Sequence, residues 1–340
     1  MSAIQGKKTD QLPSTHKPPP PLLGKLLSHY GLILVLFIVV VLFGLLRPDT
    51  FFSAANARMI ASTNAVLAVL ALAAIAPLVA GQFDLSIGFT LSLAQSLATG
   101  LILLQGLDPM LAIFVALSVG LLIGLLNGLL VAYAGLNAFI TTLATGILIQ
   151  GFTQWYTNGE SIFGSLPSWF LMIGRSELNG IPLPLIYVIV IATALWLAYE
   201  RTSWGRRSLA TGGNERAALF SGVNVRRITL SSFGLAGFLS ALAGVLSATI
   251  LGSANPNVGG NYLLSAFAAV FLGATCIRPG RFNAPGTVIA VYTLAIGIAG
   301  LQQMGASFYV EQLFNGAALL AALGLAKWSI WRRATRASKS

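Results

Sequence analysis

Charged side chains are scarce in this chain. Asp, Glu, Lys and Arg make up 9% of its 340 residues, where a soluble domain carries roughly 25%, and no Lys or Arg occurs from Met59 to Gly174. That stretch is long enough for several helical spans of about 20 residues each. With 56% hydrophobic residues and a mean hydropathy of +0.82, the sequence is that of an integral membrane protein. Alternation is also missing: runs such as LILVLFIVVVLF do not switch between apolar and polar residues, which excludes barrel strands and leaves helices. A single cysteine, Cys276, excludes an internal disulfide and a cysteine-built metal site. The two histidines, His16 and His29, lie near the N-terminus, so no imidazole is expected to act in the core. Nor does the chain contain a GxxxxGKS or GxxxxGKT loop, an HExxH helix, a GxSxG turn or paired carboxylates within its apolar runs. No catalytic residue, metal or cofactor is expected, and energy must come from elsewhere.

Apolar runs are present at about 26–46, 60–80, 87–105, 110–133, 138–156, 183–199, 229–250, 262–277, 284–303 and 310–328. They predict an all-α, polytopic membrane protein with about ten transmembrane helices. The expected layout is a disordered tail over 1–25, a transmembrane domain over 26–328 interrupted by a polar stretch at 200–228, and a basic tail over 329–340. Ala55-Asn56-Ala57 resembles a signal-peptidase site, but the preceding apolar run exceeds the usual length of roughly 7–15 residues, so an uncleaved first span is expected. An even span count with the N-terminus inside puts seventeen Lys and Arg in the cytoplasm and only Arg47, Arg58 and Arg175 outside. This bias predicts that both termini are cytoplasmic. It also accounts for the net charge of +11 without nucleic acid as a partner. The contact instead is with membrane lipid.

Four polar elements stand out. In ERTSWGRRSLATGGNERAALFSGVNVR (200–226 with Arg227 following), Asn214 can cap a short helix from Glu215 to Phe220 that stops at Ser221-Gly222, a compact element on which a soluble partner could dock. Asp84, within Gly81-Gln82-Phe83-Asp84-Leu85-Ser86, is the only acid between Asp49 and Asp108. It either caps a helix opening at Leu85 by accepting backbone N–H groups two or three residues on, or helps form a solute route at a broken helix end. Asn137, Thr141 and Thr142 form a cluster that lines a pathway or satisfies backbone carbonyls. The turn-forming stretch Ser253 to Tyr262, containing Asn255, is positioned to shape an external mouth, and Gln302, Gln303 and Asn315 add uncharged hydrogen-bonding groups. Uncharged donors and acceptors suit a neutral sugar or polyol better than an ion. The segment from Thr157 to Pro184 has room for a short surface helix.

GQFDLSIGFTLSLA at 81–94, NAFITTLATGILIQG at 137–151, ATGGNERAALFSGVNV at 210–225 and GTVIAVYTLAIGIAGLQQMG at 286–305 occur in an order that resembles the permease subunits of ribose-type ABC sugar importers. The likeness covers about residues 30–328. Gln82-Phe83, and the stretch from Gly273 to Arg281, depart from the glycine-rich forms common there. The resemblance implies a ten-helix permease of the bacterial inner membrane, paired with a second permease copy as a homodimer or heterodimer. It further implies two cytoplasmic ABC ATPase subunits and a periplasmic sugar-binding protein. On this likeness Gly213, Asn214, Glu215, Ala217, Ala218 and Gly222 are the ATPase-coupling residues, the small ones packing closely and Glu215 and Arg216 fixing orientation. Asp84, Ser86, Asn137, Thr141, Thr142, Asn255 and Gln302 are the expected pathway residues. The rival expectation is a stand-alone secondary carrier or channel for a small polar solute.

Overall fold

A computed structural model describes residues 22–307, 309–321 and 324. The expected N-terminal tail lies outside the described residues up to position 21, and the expected basic C-terminal tail lies wholly outside them. The chain opens with α1 (Leu22–Leu46), the short α2 (Pro48–Phe51), α3 (Ala54–Thr63) and α4 (Ala65–Val79). α5 (Ser86–Leu103), α6 (Pro109–Ala132) and α7 (Ala138–Thr157) follow, then β1 (Ile162–Phe163), α8 (Ser168–Arg175), β2 (Glu177–Leu178) and β3 (Ile181–Pro182). After α9 (Leu183–Arg201) come α10 (Ser203–Gly213), α11 (Glu215–Phe220), α12 (Val225–Leu251), β4 (Ser253–Ala254), α13 (Val258–Gly273) and α14 (Ala284–Gln303). Residues 309–321 are again helical. The strands form two minimal antiparallel ladders, β1 with β4 and β2 with β3, on an otherwise helical fold.

Six segments among the described residues are long and apolar enough to cross a membrane: Ala54–Val79, α5, α6, α9, α12 and α14. Tyr30–Leu46 and α13 are shorter apolar helices. At 20 residues α7 is long enough, but Thr141, Thr142, Gln150, Thr153 and Gln154 make it more polar than these six. The protein is thus a helical, multi-pass membrane protein.

α4 and α12 form the centre. Every residue of α4 is buried, as befits a helix that is apolar on all sides, and α12 packs on α4, α5 and α6. The α6–α12 contact is made backbone to backbone: a Cβ on Gly124 would overlap the carbonyl oxygen of Phe233, and one on Gly237 would overlap that of Gly120. Small residues let membrane helices approach this closely, where dispersion and packing replace the hydrophobic effect as the attraction.

Local chemistry sets the helix ends. Asp108 Oδ1 accepts from Met110 N–H at 2.8 Å with Pro109 in the first turn of α6, the pairing its sequence predicts. α4 closes in a Schellman motif, with Gln82 N–H donating to Pro77 O, Gly81 N–H donating to Leu78 O, and Gly81 at φ +80°. α8 is the short helix for which the segment before α9 had room. α10, by contrast, is a full helix in a region read as loop, and α13 begins at Val258 rather than near 262.

The bundle has two distinct ends. One gathers the start of α5, α7 and α12 with α10 and α11, and carries the arginines from Arg201 to Arg227. Arg278 joins this basic end by an ion pair with Glu200 at 2.6 Å. At the far end, Arg175 Nε donates to Ile250 O at 3.0 Å, and Arg58 pairs with Glu177 at 3.1 Å.

Candidate functional site: a polar turn, an exposed short helix and an amide cluster

The turn between α4 and α5 forms a buried polar knot at the basic end. Asp84, 2% exposed, accepts through Oδ1 from the backbone N–H of Ser86 at 2.9 Å and from its hydroxyl at 2.6 Å. The Ser86 hydroxyl in turn accepts from Asn127 Nδ2 of α6 at 2.9 Å. Thr142 Oγ1 of α7 accepts from Leu85 N–H at 3.0 Å and donates to Ala138 O at 2.8 Å. Ser86, held by Asp84, thus ties α5 to α6, while Thr142 ties the same turn to α7. The helix opens at Ser86 and not at Leu85 as expected, because Leu85 is the boundary residue and has no side-chain cap. Asp84 nevertheless binds the backbone N–H two residues on. Asp84 Oδ2 and Asn127 Oδ1 are buried with no hydrogen-bond partner among the described residues.

Beside this turn sits α10. A Cβ on Gly212 would overlap Val79 O and stand 2.9 Å from Gly81 N, so the backbone of α10 rests directly on the end of α4. α11 follows, capped as its sequence predicts: Asn214 Oδ1 accepts from Ala217 N–H at 3.0 Å. It also ends in a Schellman motif, with Val223 N–H donating to Ala218 O and Gly222 N–H donating to Leu219 O. Gly222 has φ +78° and open space around it, so its backbone geometry accounts for the glycine. Ala218 is buried against the protein's own domain, whereas Glu215, Arg216, Ala217, Leu219 and Phe220 are exposed. Phe220 is 90% exposed, which the sequence reading passed over. Between α11 and the facing ends of α6 and α12 lies a cavity of about 820 Å³ whose polar lining includes Gln82, Glu215, Arg216 and Arg226. The Arg226 guanidinium lies 5.8 Å from the Tyr133 ring centre.

The expected pathway residues do not form one site. Asp84, Ser86 and Thr142 meet at the basic end, Thr141 is buried beside them, and Asn137 is an exposed N-cap of α7, accepting from Ile140 N–H at 3.2 Å. Asn255 belongs to the far end, where its N–H points to Gln95 Oε1 at 3.5 Å. Gln302 is exposed at the end of α14, and its neighbour Gln303 donates to Asn56 Oδ1 at 2.8 Å. Three amides that the sequence reading left aside hold these regions together: Asn127, Gln95 and Gln150. Gln95 donates to Ser247 Oγ and Ser253 O, and Gln150 to Asn257 Oδ1 and Pro256 O. The signal that could have found them is a lone carboxamide inside an apolar run, since such a group needs a partner at depth.

Comparison with known proteins adds the lineage. Residues 56–323 match the family described as branched-chain amino acid transport system / permease component. The chain is 38% identical over 298 residues to the ribose import permease protein of Bacillus subtilis, covering 87% of this chain and 92% of that one. It is 31% identical over 294 residues to the ribose import permease protein of Escherichia coli (86% and 91% covered) and 31% identical over 299 residues to the D-allose transport system permease protein of the same species (88% and 91% covered). No solved structure gives a significant match. These relatives bear out the resemblance to ribose-type ABC sugar permeases. The chain belongs to this permease family, as a transport component and not an enzyme.

Proposed function

We propose that the chain is the membrane subunit of an ATP-driven importer that carries a monosaccharide or similar small polyol across the bacterial inner membrane. Its ten spans leave both termini and the α10–α11 segment in the cytoplasm, in keeping with the arginines gathered at that end. Two ABC ATPase subunits dock there, a periplasmic sugar-binding protein delivers the solute to the far end, and a second copy of the chain completes the transporter. The sugar class rests on relatives named for ribose and allose and on the uncharged amides and hydroxyls of the polar clusters.

One observation carries the ATPase reading. α11 is a six-residue helix fixed at both ends by its own caps, with Leu219 and Phe220 presented outward. An exposed aromatic beside charged residues has the composition of an interface centre with a polar rim. Asn214, Glu215 and Ala217 contribute to that contact, while Gly213, Ala218 and Gly222 shape the segment that holds it. The test is uptake of labelled ribose into vesicles containing the chain, with and without its ATPase partner and ATP. Uptake that requires all three supports the reading; uptake by the chain alone overturns it in favour of a stand-alone carrier.

A further inference from the structure

The connection between α12 and α13 does not run over the surface at the far end. Gln95 lies eight residues before the end of α5 and Gln150 seven before the end of α7, which places both about 10–12 Å inside those ends at a rise of 1.5 Å per residue. Gln95 Nε2 holds Ser253 O at 3.2 Å, and Gln150 Nε2 holds Pro256 O at 3.2 Å and Asn257 Oδ1 at 2.8 Å. Two helices therefore tether this connection at the same depth. α13 starts from that depth and has 16 residues, about 24 Å of helix against a hydrocarbon core of roughly 30 Å.

The groups displayed at this level are polar and open. Gln154 and Asn257 are exposed, Asn261 is exposed one turn into α13, and Gln150 is half-buried beside them. Irregular backbone and carboxamides at membrane depth persist where they line a wet cavity or are buried in protein, not against lipid. The rest of the outer face of α7 is different: Ile147, Leu148 and Phe152 are exposed and wholly apolar. Lipid suits that stripe and does not suit the amides.

From this contrast we infer that Gln150, Gln154, Asn257 and Asn261 form a hydrated wall of the solute path and make hydrogen bonds to the hydroxyls of the passing polyol. Gln150 Nε2 is engaged by Pro256 O and Asn257 Oδ1, which leaves Gln150 Oε1 as an acceptor and the Nδ2 groups of Asn257 and Asn261 as donors, a set that matches hydroxyl groups that both donate and accept. The absence of charge on these four side chains suits a neutral solute. The assignment rests on the proposed importer function and adds to it the residues that read the solute.

The test uses the full chain with its partners. Single variants Gln150→Cys, Asn261→Cys and Leu148→Cys are made on a Cys276→Ala background and treated with a charged, water-soluble thiol reagent. The reactive form is the thiolate, which exists in water and not in lipid, so the first two variants should react roughly tenfold or more faster than Leu148→Cys. Labelled ribose should slow their modification. In parallel, Gln150→Leu should raise the uptake KM up to about tenfold, the worth of one hydrogen bond, while co-purification with the ATPase stays unchanged. Equal rates at all three positions, no reaction at positions 150 and 261, or an unchanged KM for Gln150→Leu in a normally assembled transporter would overturn the path. Uptake that needs no ATPase would remove the importer reading while leaving the labelling contrast intact, so the two failures are distinguishable.

Discussion

Ser86 Oγ lies 2.6 Å from Asp84 Oδ1 and 2.9 Å from Asn127 Nδ2, so one hydroxyl donates to a buried carboxylate and accepts from a buried amide. Replacing Asp84 separates the loss of charge from the loss of the acceptor. Asp84→Asn keeps an oxygen for the Ser86 N–H, whereas Asp84→Leu leaves that N–H and the proton of the Ser86 hydroxyl without an acceptor in the interior, the hydroxyl keeping only the bond it accepts from Asn127. A buried unsatisfied group costs about 1–3 kcal/mol, so the leucine variant should unfold at a lower temperature in detergent than the asparagine variant and accumulate less in membranes. Equal stability of the two would remove the structural role given to Asp84. Normal folding of the asparagine variant with lost uptake would show a use for the charge itself.

Two adjacent glycines give an internally controlled experiment. Gly213 has open space where a Cβ would stand, while Gly212 presses on Val79 O and Gly81 N. Gly213→Ala should be neutral or stabilising by up to about 1 kcal/mol through helix propensity. Gly212→Ala should cost about 1–3 kcal/mol by overpacking and depress uptake. Similar behaviour of the two variants would contradict the direct seating of α10 on the end of α4.

The docking surface proposed at α11 predicts its own failure mode. Phe220→Asp places a charge where an apolar tip is presented, and should abolish co-purification with the ATPase while leaving membrane insertion untouched. Gly222→Trp should also reduce uptake, but through the strain of a side chain at φ +78° as well as through bulk. Phe220→Asp is therefore the cleaner probe, and full retention of the ATPase by it would place the contact elsewhere.

Topology can be read with the same cysteine chemistry. On a Cys276→Ala background, Glu215→Cys should resist an impermeant reagent in intact cells and react in inverted vesicles, while Ser165→Cys should do the reverse. Reaction of Glu215→Cys in intact cells would invert the arrangement drawn from the basic residues.

What the sequence disclosed is what neighbouring residues decide among themselves. The caps by Asn214 and Asp108 and the stop at Gly222 were legible because each involves groups within a few positions of one another, whereas Asn137, read as part of a polar cluster, turned out to cap α7. α10 was not, because Arg206-Arg207 and the closing Gly212-Gly213 read as loop, and its helix depends on packing against Val79 and Gly81. Asn127, Gln95 and Gln150 were passed over for a similar reason: each is a single amide in an apolar run, and its partners are 41, 152 and 107 positions away. The pairing of Asp84 with Ser86 was half legible, since the local bond could be anticipated and the link through to α6 could not.

The glycine-to-carbonyl contacts have a consequence for how this sequence can change over generations. Gly259 stands so close to α5 that a Cβ there would overlap the Gly88 carbonyl oxygen, and Gly237 and Gly212 meet Gly120 and Val79 in the same way. Each such position is obstructed by main chain, which no substitution in the facing helix can trim away. Descendant sequences are therefore free to exchange lipid-facing leucines, valines and phenylalanines, yet at these few sites they keep glycine or must shift a whole helix to lose it.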